Sequence, residues 1–386
     1  MAILPSLERV EGALAPYAQT SAMSRGRRHP EDHHGYRSLF QRDRDRIVHA
    51  RAFRRLEYKT QVFVNHEGDH YRTRLTHSIE VSQIGRTVAR SLGLNEDLVE
   101  SLALSHDLGH TPFGHLGEDV LAEFMKDHGG FNHNRQTLRI VELLEERYPD
   151  FPGLNLTWEV REGIAKHSGP IAIADAPEFA EYEPVRQPPL ESQLIDLVDE
   201  IAYNHHDIDD GLSSGLLETD ALAEAVPLFG EPLRRARARW PQADPRRVRT
   251  VALRGLINVL VTDLIDTTGS QIQAAGVASL EDVRDASRPL AGLSPAVNEH
   301  NRGLKTYLRT HMYQHHRIER MKDKARRVLQ ALCERYLDNP RLLPDDARHR
   351  TEVEGVHRAI ADYVAGMTDR YASEEYQRLF DPTVRV

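Results

Sequence analysis

Three observations in the sequence predict an all-α fold. Aromatic residues are 6% of the 386, and Leu, Ala, Arg and Glu abound while alternating β-branched runs are few. Apolar residues recur at helical spacing, first at Leu75, Ile79, Ile84, Val88 and Leu92. A longer pattern from Asn301 to Leu337 carries Leu304, Leu308, Met312, Ile318, Met321, Ala325, Val328, Leu332 and Cys333, enough for one buried stripe. With 40% hydrophobic residues the chain can bury a large core, as one large domain with an appendage or as two.

Residues 1–35 contain Gly, Pro, Ser and the polar run RGRRHPEDHHG without a sustained period, which predicts an irregular, mobile arm. The Leu75–Leu92 pattern stops at Gly93, a C-cap, and Asn95 is placed to cap a next helix over Glu96–His110. Further helices are predicted over 118–127, 133–147, 157–167 and 190–209. The stretch 171–189, with four prolines, is the loop before the last of these. Helices continue around 246–267, along Asn301–Leu337, and after a break at Asn339–Pro344. The arm is thus followed by a core over 36–215 and a helical extension over 216–386, suited to oligomer contact or regulation.

Nowhere do enough apolar residues run together to span a membrane, and the first residues lack the pattern of an export signal. Cys333 is the only cysteine, so no intramolecular disulfide can form, and a cytoplasmic location is expected. The net charge of −9 is uneven. Residues 24–60 hold eleven Lys/Arg against five acids, whereas 171–224 hold fourteen acids and Arg186 alone. Such a pairing suits a site for metal and phosphate; it equally suits two charged faces that attract each other.

The string LALSHDLGHTPFGH places His106-Asp107 on a predicted helix beside Leu98, Leu102 and Ala103. Neighbours on a helix point about 100° apart, so both reach one ion only at the edge of a buried face. Alone, the dipeptide reads equally as a surface pair or a satisfied core histidine. His77 in RTRLTHSIEV and Asp199 in IDLVDEIAYNHHDIDDGL lie in apolar helices too, where a carboxylate or imidazole needs a partner or a cation. Two imidazoles and two carboxylates suit Mg²⁺, Mn²⁺ or Fe²⁺ rather than a closed structural zinc site. Glu118 stands one helical turn after His115, where the two side chains can pair, although His115 could instead cap the helix. The pairs His205/His206 and His315/His316 read as exposed, and Tyr313, sharing helical spacing with Lys305 and Arg309, matches no contact firmly.

The order His77, His106-Asp107, Asp199 resembles the signature of HD-domain phosphohydrolases. The blocks RAFRRLEYKTQVF, RTRLTHSIEVSQIGR, SHDLGHTPFGHLGED, FNHNRQTLRIVE and DLVDEIAYNHHDIDDGL look like the deoxyguanosinetriphosphate triphosphohydrolase family, over roughly residues 40–215. The resemblance implies an HD-domain helical fold with a C-terminal extension. It also implies hydrolysis of deoxynucleoside triphosphates, dGTP among them, to deoxynucleoside and inorganic triphosphate. By the same resemblance His77, His106, Asp107 and Asp199 hold a divalent metal, Mg or Mn first, with Fe, Co, Ni or Zn as alternatives. His115, Glu118 and His110 are the implied catalytic groups. Arg74, His133, Tyr203, Asp207 and Gln61 are the implied substrate contacts, Asp207 facing the 3′-hydroxyl. Homo-oligomers and a nucleotide effector are further implications. The rival functions are an HD-domain phosphodiesterase or nucleotidase, and a non-catalytic nucleotide sensor or nucleic-acid binder using the basic segment.

Overall fold

The computed structural model describes residues 11–32, 34–61, 72–167 and 177–385. Their regular structure is helical, with three isolated β-bridges and no strand among the described residues. Residues 1–10 and 33 of the predicted arm, and 171–176 of the predicted loop, lie outside them.

Contacts divide the chain into two units, each assembled from separate stretches of the sequence. One comprises Met1–Asp45, Ile79–Ala103 and Thr157–His315; the other comprises Arg46–Ser78, Leu104–Leu156 and His316–Val386. The division is nonlocal because the helices Arg74–Ser91 and Glu96–Ser105 each give residues to both units.

In the first unit the helix Pro245–Ala274 packs along the helix Leu190–Ser213. Val248, Ala252, Leu256, Leu260, Leu264, Thr268 and Ile272 form a buried stripe at four-residue spacing. Asp244 caps this helix by accepting the Arg246 N–H at 2.9 Å, and Pro245 follows in the first turn, where its missing N–H costs nothing. Asn95 caps Glu96–Ser105 as the sequence suggested, its Oδ1 accepting the Asp97 and Leu98 N–H groups at 3.1 and 3.3 Å. Gly93, at φ 70°, follows Arg74–Ser91. The buried face of that helix runs through Val81, Ile84, Val88 and Ala89, whereas Ile79 is half exposed.

The described arm residues are irregular apart from the 3₁₀ turn Ser21–Met23, and carboxylates hold them in place. Glu159 accepts from the Ser24 hydroxyl at 2.6 Å and the Arg25 N–H at 2.7 Å. The oppositely charged stretches also meet directly, through Arg25–Glu183 at 2.8 Å and Arg28–Glu181.

Glu191, fully buried, accepts the Gln19 and Asn95 N–H groups, both at 3.0 Å, through Oε1. Burial raises its carboxyl to about 7 despite those two bonds. The folded chain therefore keeps a proton that the unfolded chain, with an ordinary value of 4.5, has already lost. Stability thus falls as pH rises from the unfolded to the folded value. Glu191→Gln keeps the accepting oxygen and removes the ionisation. Its unfolding free energy is expected to match wild type near pH 5 and exceed it near pH 8 by on the order of 2 kcal/mol. Denaturant melts at both pH values check this; an offset independent of pH rejects it.

The second unit is built on the helix His316–Asp338, which packs against the helices His115–Phe124, Val356–Ala365 and Asp369–Phe380. Leu121, Met125, Leu329, Leu332, Tyr336 and Ile360 fill its core. The pattern predicted as one helix over Asn301–Leu337 is broken. The helix Pro295–Leu308 widens into a π-turn at Arg309–Tyr313 and stops, and a new helix begins at His316. Apolar spacing survives across such a break because each half buries its own stripe.

Candidate active site

His106 and Asp107 follow the helix Glu96–Ser105 in a turn, not inside a helix reaching His110. The chain tightens there, with the Leu108 N–H on the Ser105 carbonyl at 3.2 Å and the His110 N–H on the Asp107 carbonyl at 3.1 Å. Gly109 explains the departure. Its N–H donates to Thr137 Oγ1 at 2.9 Å, and a Cβ at this position would lie 2.1 Å from the His133 carbonyl oxygen. No other residue permits that approach. Freed from the helical angle, His106 and Asp107 converge with His77 from the first turn of Arg74–Ser91. Donor atoms of all three buried residues lie within 4.8 Å of one another.

The geometry fits a cation. Asp107 Oδ1 is 3.0 Å from Arg74 Nη1 and 2.9 Å from His110 Nδ1, but the buried Oδ2 has no hydrogen-bond partner among the described residues. An unsatisfied carboxylate oxygen beside two imidazoles is costly without a positive charge opposite it. Burial pushes the Asp107 carboxyl up, yet Arg74, His106 and His110 together hold it well below the usual carboxylate range. Burial, then Arg74, holds His110 well below the ordinary histidine value, so its ring is neutral at neutral pH.

A second cluster joins His110, Glu118 and His133. Glu118 accepts the His133 N–H at 3.0 Å, and its two oxygens stand 2.9 and 3.0 Å from His133 Nδ1. His133 stacks on His110 with centroids 4.3 Å apart. His115 opens the helix His115–Phe124 with its side chain 85% exposed, its Nδ1 at 3.9 Å from Glu118 Oε2. Glu118 is therefore bonded closely to His133, with His115 at ion-pair distance. The N-terminus of the helix His133–Arg139, capped by Asn132, draws the carboxylate there. Burial opposes ionisation of Glu118, but His115 and His133 keep its carboxyl far below the usual range.

The HD-domain family model matches residues 74–204, and that of the phosphohydrolase-associated domain matches residues 291–378. A Thiobacillus denitrificans protein named deoxyguanosinetriphosphate triphosphohydrolase-like protein is 54% identical over 96% of this chain and 98% of its own length. One of the same name from Geobacter sulfurreducens is 53% identical over 99% of this chain and 98% of its own. The chain belongs to the deoxyguanosinetriphosphate triphosphohydrolase-like family.

As a member of that family it is an HD-domain phosphohydrolase of the metal-dependent kind, and the buried His77, His106 and Asp107 are its candidate ligands. Among the described residues, no helix is long and apolar enough to cross a membrane. The other residues that the resemblance implicated fall as follows. Arg74 is buried against Asp107. Gln61 follows Thr60, its carbonyl oxygen 3.8 Å from where a Cβ on Gly114 would stand. Asp199, Tyr203 and Asp207 are carried by the helix Leu190–Ser213 of the first unit. There Asp207 is buried and accepts a hydrogen bond from the Tyr313 hydroxyl. Tyr313 gave no firm signal in the sequence, since the π-turn that carries it interrupts the periodicity. His206, read as exposed, is 1% exposed and bonded through Nε2 to Glu80. The phosphohydrolase-associated match also covers Asp369, which spacing could not connect to residues 256 positions earlier.

Proposed function

We propose that this protein hydrolyses deoxynucleoside triphosphates, dGTP among them, to deoxynucleoside and inorganic triphosphate. The supporting observation is one continuous polar cluster. The buried triad of His77, His106 and Asp107 is linked through the Asp107–His110 contact to His133 and Glu118. The name that the relatives carry supplies the substrate class.

His77, His106 and Asp107 would hold a divalent ion, with Asp199 as fourth ligand on the order of the motif alone. The mixed N/O donors suit Mg²⁺ or Mn²⁺ first and accommodate Fe²⁺ and its neighbours. When bound, such an ion polarises a phosphate oxygen and makes water more acidic. Arg74 keeps Asp107 ionised and offers its remaining guanidinium N–H groups to phosphate oxygens. Neutral His110 and the Glu118-fixed His133 line the phosphates. A water oxygen bonds to the α-phosphorus and gives up a proton to solvent, the bond from that phosphorus to the 5′ oxygen breaks, and His115 gives the departing oxygen its proton and is reprotonated from solvent. Tyr203, Asp207 and Gln61 contact sugar and base, with Tyr313 holding Asp207.

The test is incubation of the purified protein with each dNTP, singly and mixed, with Mg²⁺ or Mn²⁺ in heavy-oxygen water. Intact triphosphate carrying the heavy oxygen, together with unlabelled deoxynucleoside, is expected. Release of single phosphates or cleavage of a phosphodiester would replace the proposal with the nucleotidase or phosphodiesterase alternative. Nucleic-acid binding without turnover would replace it with a non-catalytic one. Turnover only in mixtures would add a nucleotide effector.

A further inference from the structure

Asp369 opens the C-terminal helix Asp369–Phe380 behind its Thr368 cap and is 3% exposed. Its Oδ1 accepts the Phe113 N–H at 2.9 Å, and its Oδ2 accepts the Thr60 N–H at 2.9 Å. Phe113 belongs to the short turn between His110 and His115, in which Phe113 and Gly114 have φ of 61° and 64°. A left-handed Phe costs roughly 1–2 kcal/mol and persists only where its surroundings hold it. Thr60 pairs with Thr73, and the Lys59 carbonyl accepts the Arg74 N–H at 3.2 Å, so this segment abuts the turn that presents Arg74 and His77. Lys59 adds a second tie between the same parts. Its buried ammonium donates to the His110 carbonyl and, at 2.9 Å, to the Ala365 carbonyl.

We propose that Asp369 is a positioning residue of the active site. By holding the Phe113 and Thr60 amides on one carboxylate, it sets where His110 and His115 stand relative to Arg74 and His77. The C-terminal segment thereby completes the catalytic loop without touching substrate. This inference rests on the reaction proposed above, and its test separates the two.

Asp369→Asn retains one accepting oxygen and turns an amide N–H toward the other backbone N–H. Its kcat is expected to fall about 10- to 100-fold, with KM within about threefold of wild type. Metal content should hold, and the melting temperature should fall by no more than a few degrees, the size expected for one buried N–H left unpaired. Hydrogen exchange should quicken in peptides covering 56–61 and 108–118 and nowhere else. Asp369→Glu, which keeps both acceptors, should recover part of the lost kcat. Wild-type kcat per folded molecule in Asp369→Asn overturns the proposal. So does a loss of kcat that tracks a lowered melting temperature with exchange raised throughout. If wild type turns over no dNTP, the reaction fails by itself and exchange decides: selective opening of the two peptides sustains the positioning role, and unchanged exchange overturns it.

Discussion

Asp107→Asn is expected to lower kcat/KM for dGTP by about 10³-fold or more and to remove the bound metal with it. Asn keeps the shape of the side chain but loses the charge that Arg74 and His110 surround and that a cation requires. Ala is a poorer test, because it also removes the oxygen that accepts from the buried Arg74, leaving that donor unsatisfied, whereas Asn keeps it. Metal content by elemental analysis is the direct readout. A second is thermal: Mn²⁺ should raise the melting temperature of wild type, since a ligand that binds only the folded chain stabilises it. The variant should show no such rise. Full metal occupancy in Asp107→Asn would remove Asp107 from the ligand set.

His115→Ala should lower kcat about 10²- to 10⁴-fold while metal content and stability stay at wild-type values. The exposure of the side chain makes the stability part firm, because exposed substitutions usually shift unfolding by no more than about 0.5 kcal/mol. His133→Ala is the control that the geometry demands, since Glu118 is bonded to His133 and only within ion-pair reach of His115. A larger loss for His133→Ala, with His115→Ala near wild type, would transfer the proton-donor role to His133.

The sequence contained the helices of the catalytic region as elements, the cap at Asn95 and the stop at Gly93, because each depends on residues within a turn or two along the chain. It also contained the order of His77, His106-Asp107 and Asp199 and the family that this order marks. Tertiary structure decided the rest. His106 and Asp107 leave the helix because Gly109 meets the His133 backbone, a contact that no local period records. Glu118 prefers His133 to His115 because the start of a separate helix offers it an N–H and a ring nitrogen at once. The interleaved units, the Tyr313 bond to Asp207 and the Asp369 tie to Phe113 join residues on distant stretches of chain. Periodicity reports which face of a helix is buried. Which segments then approach closely enough to share a hydrogen bond is set by how those faces pack together.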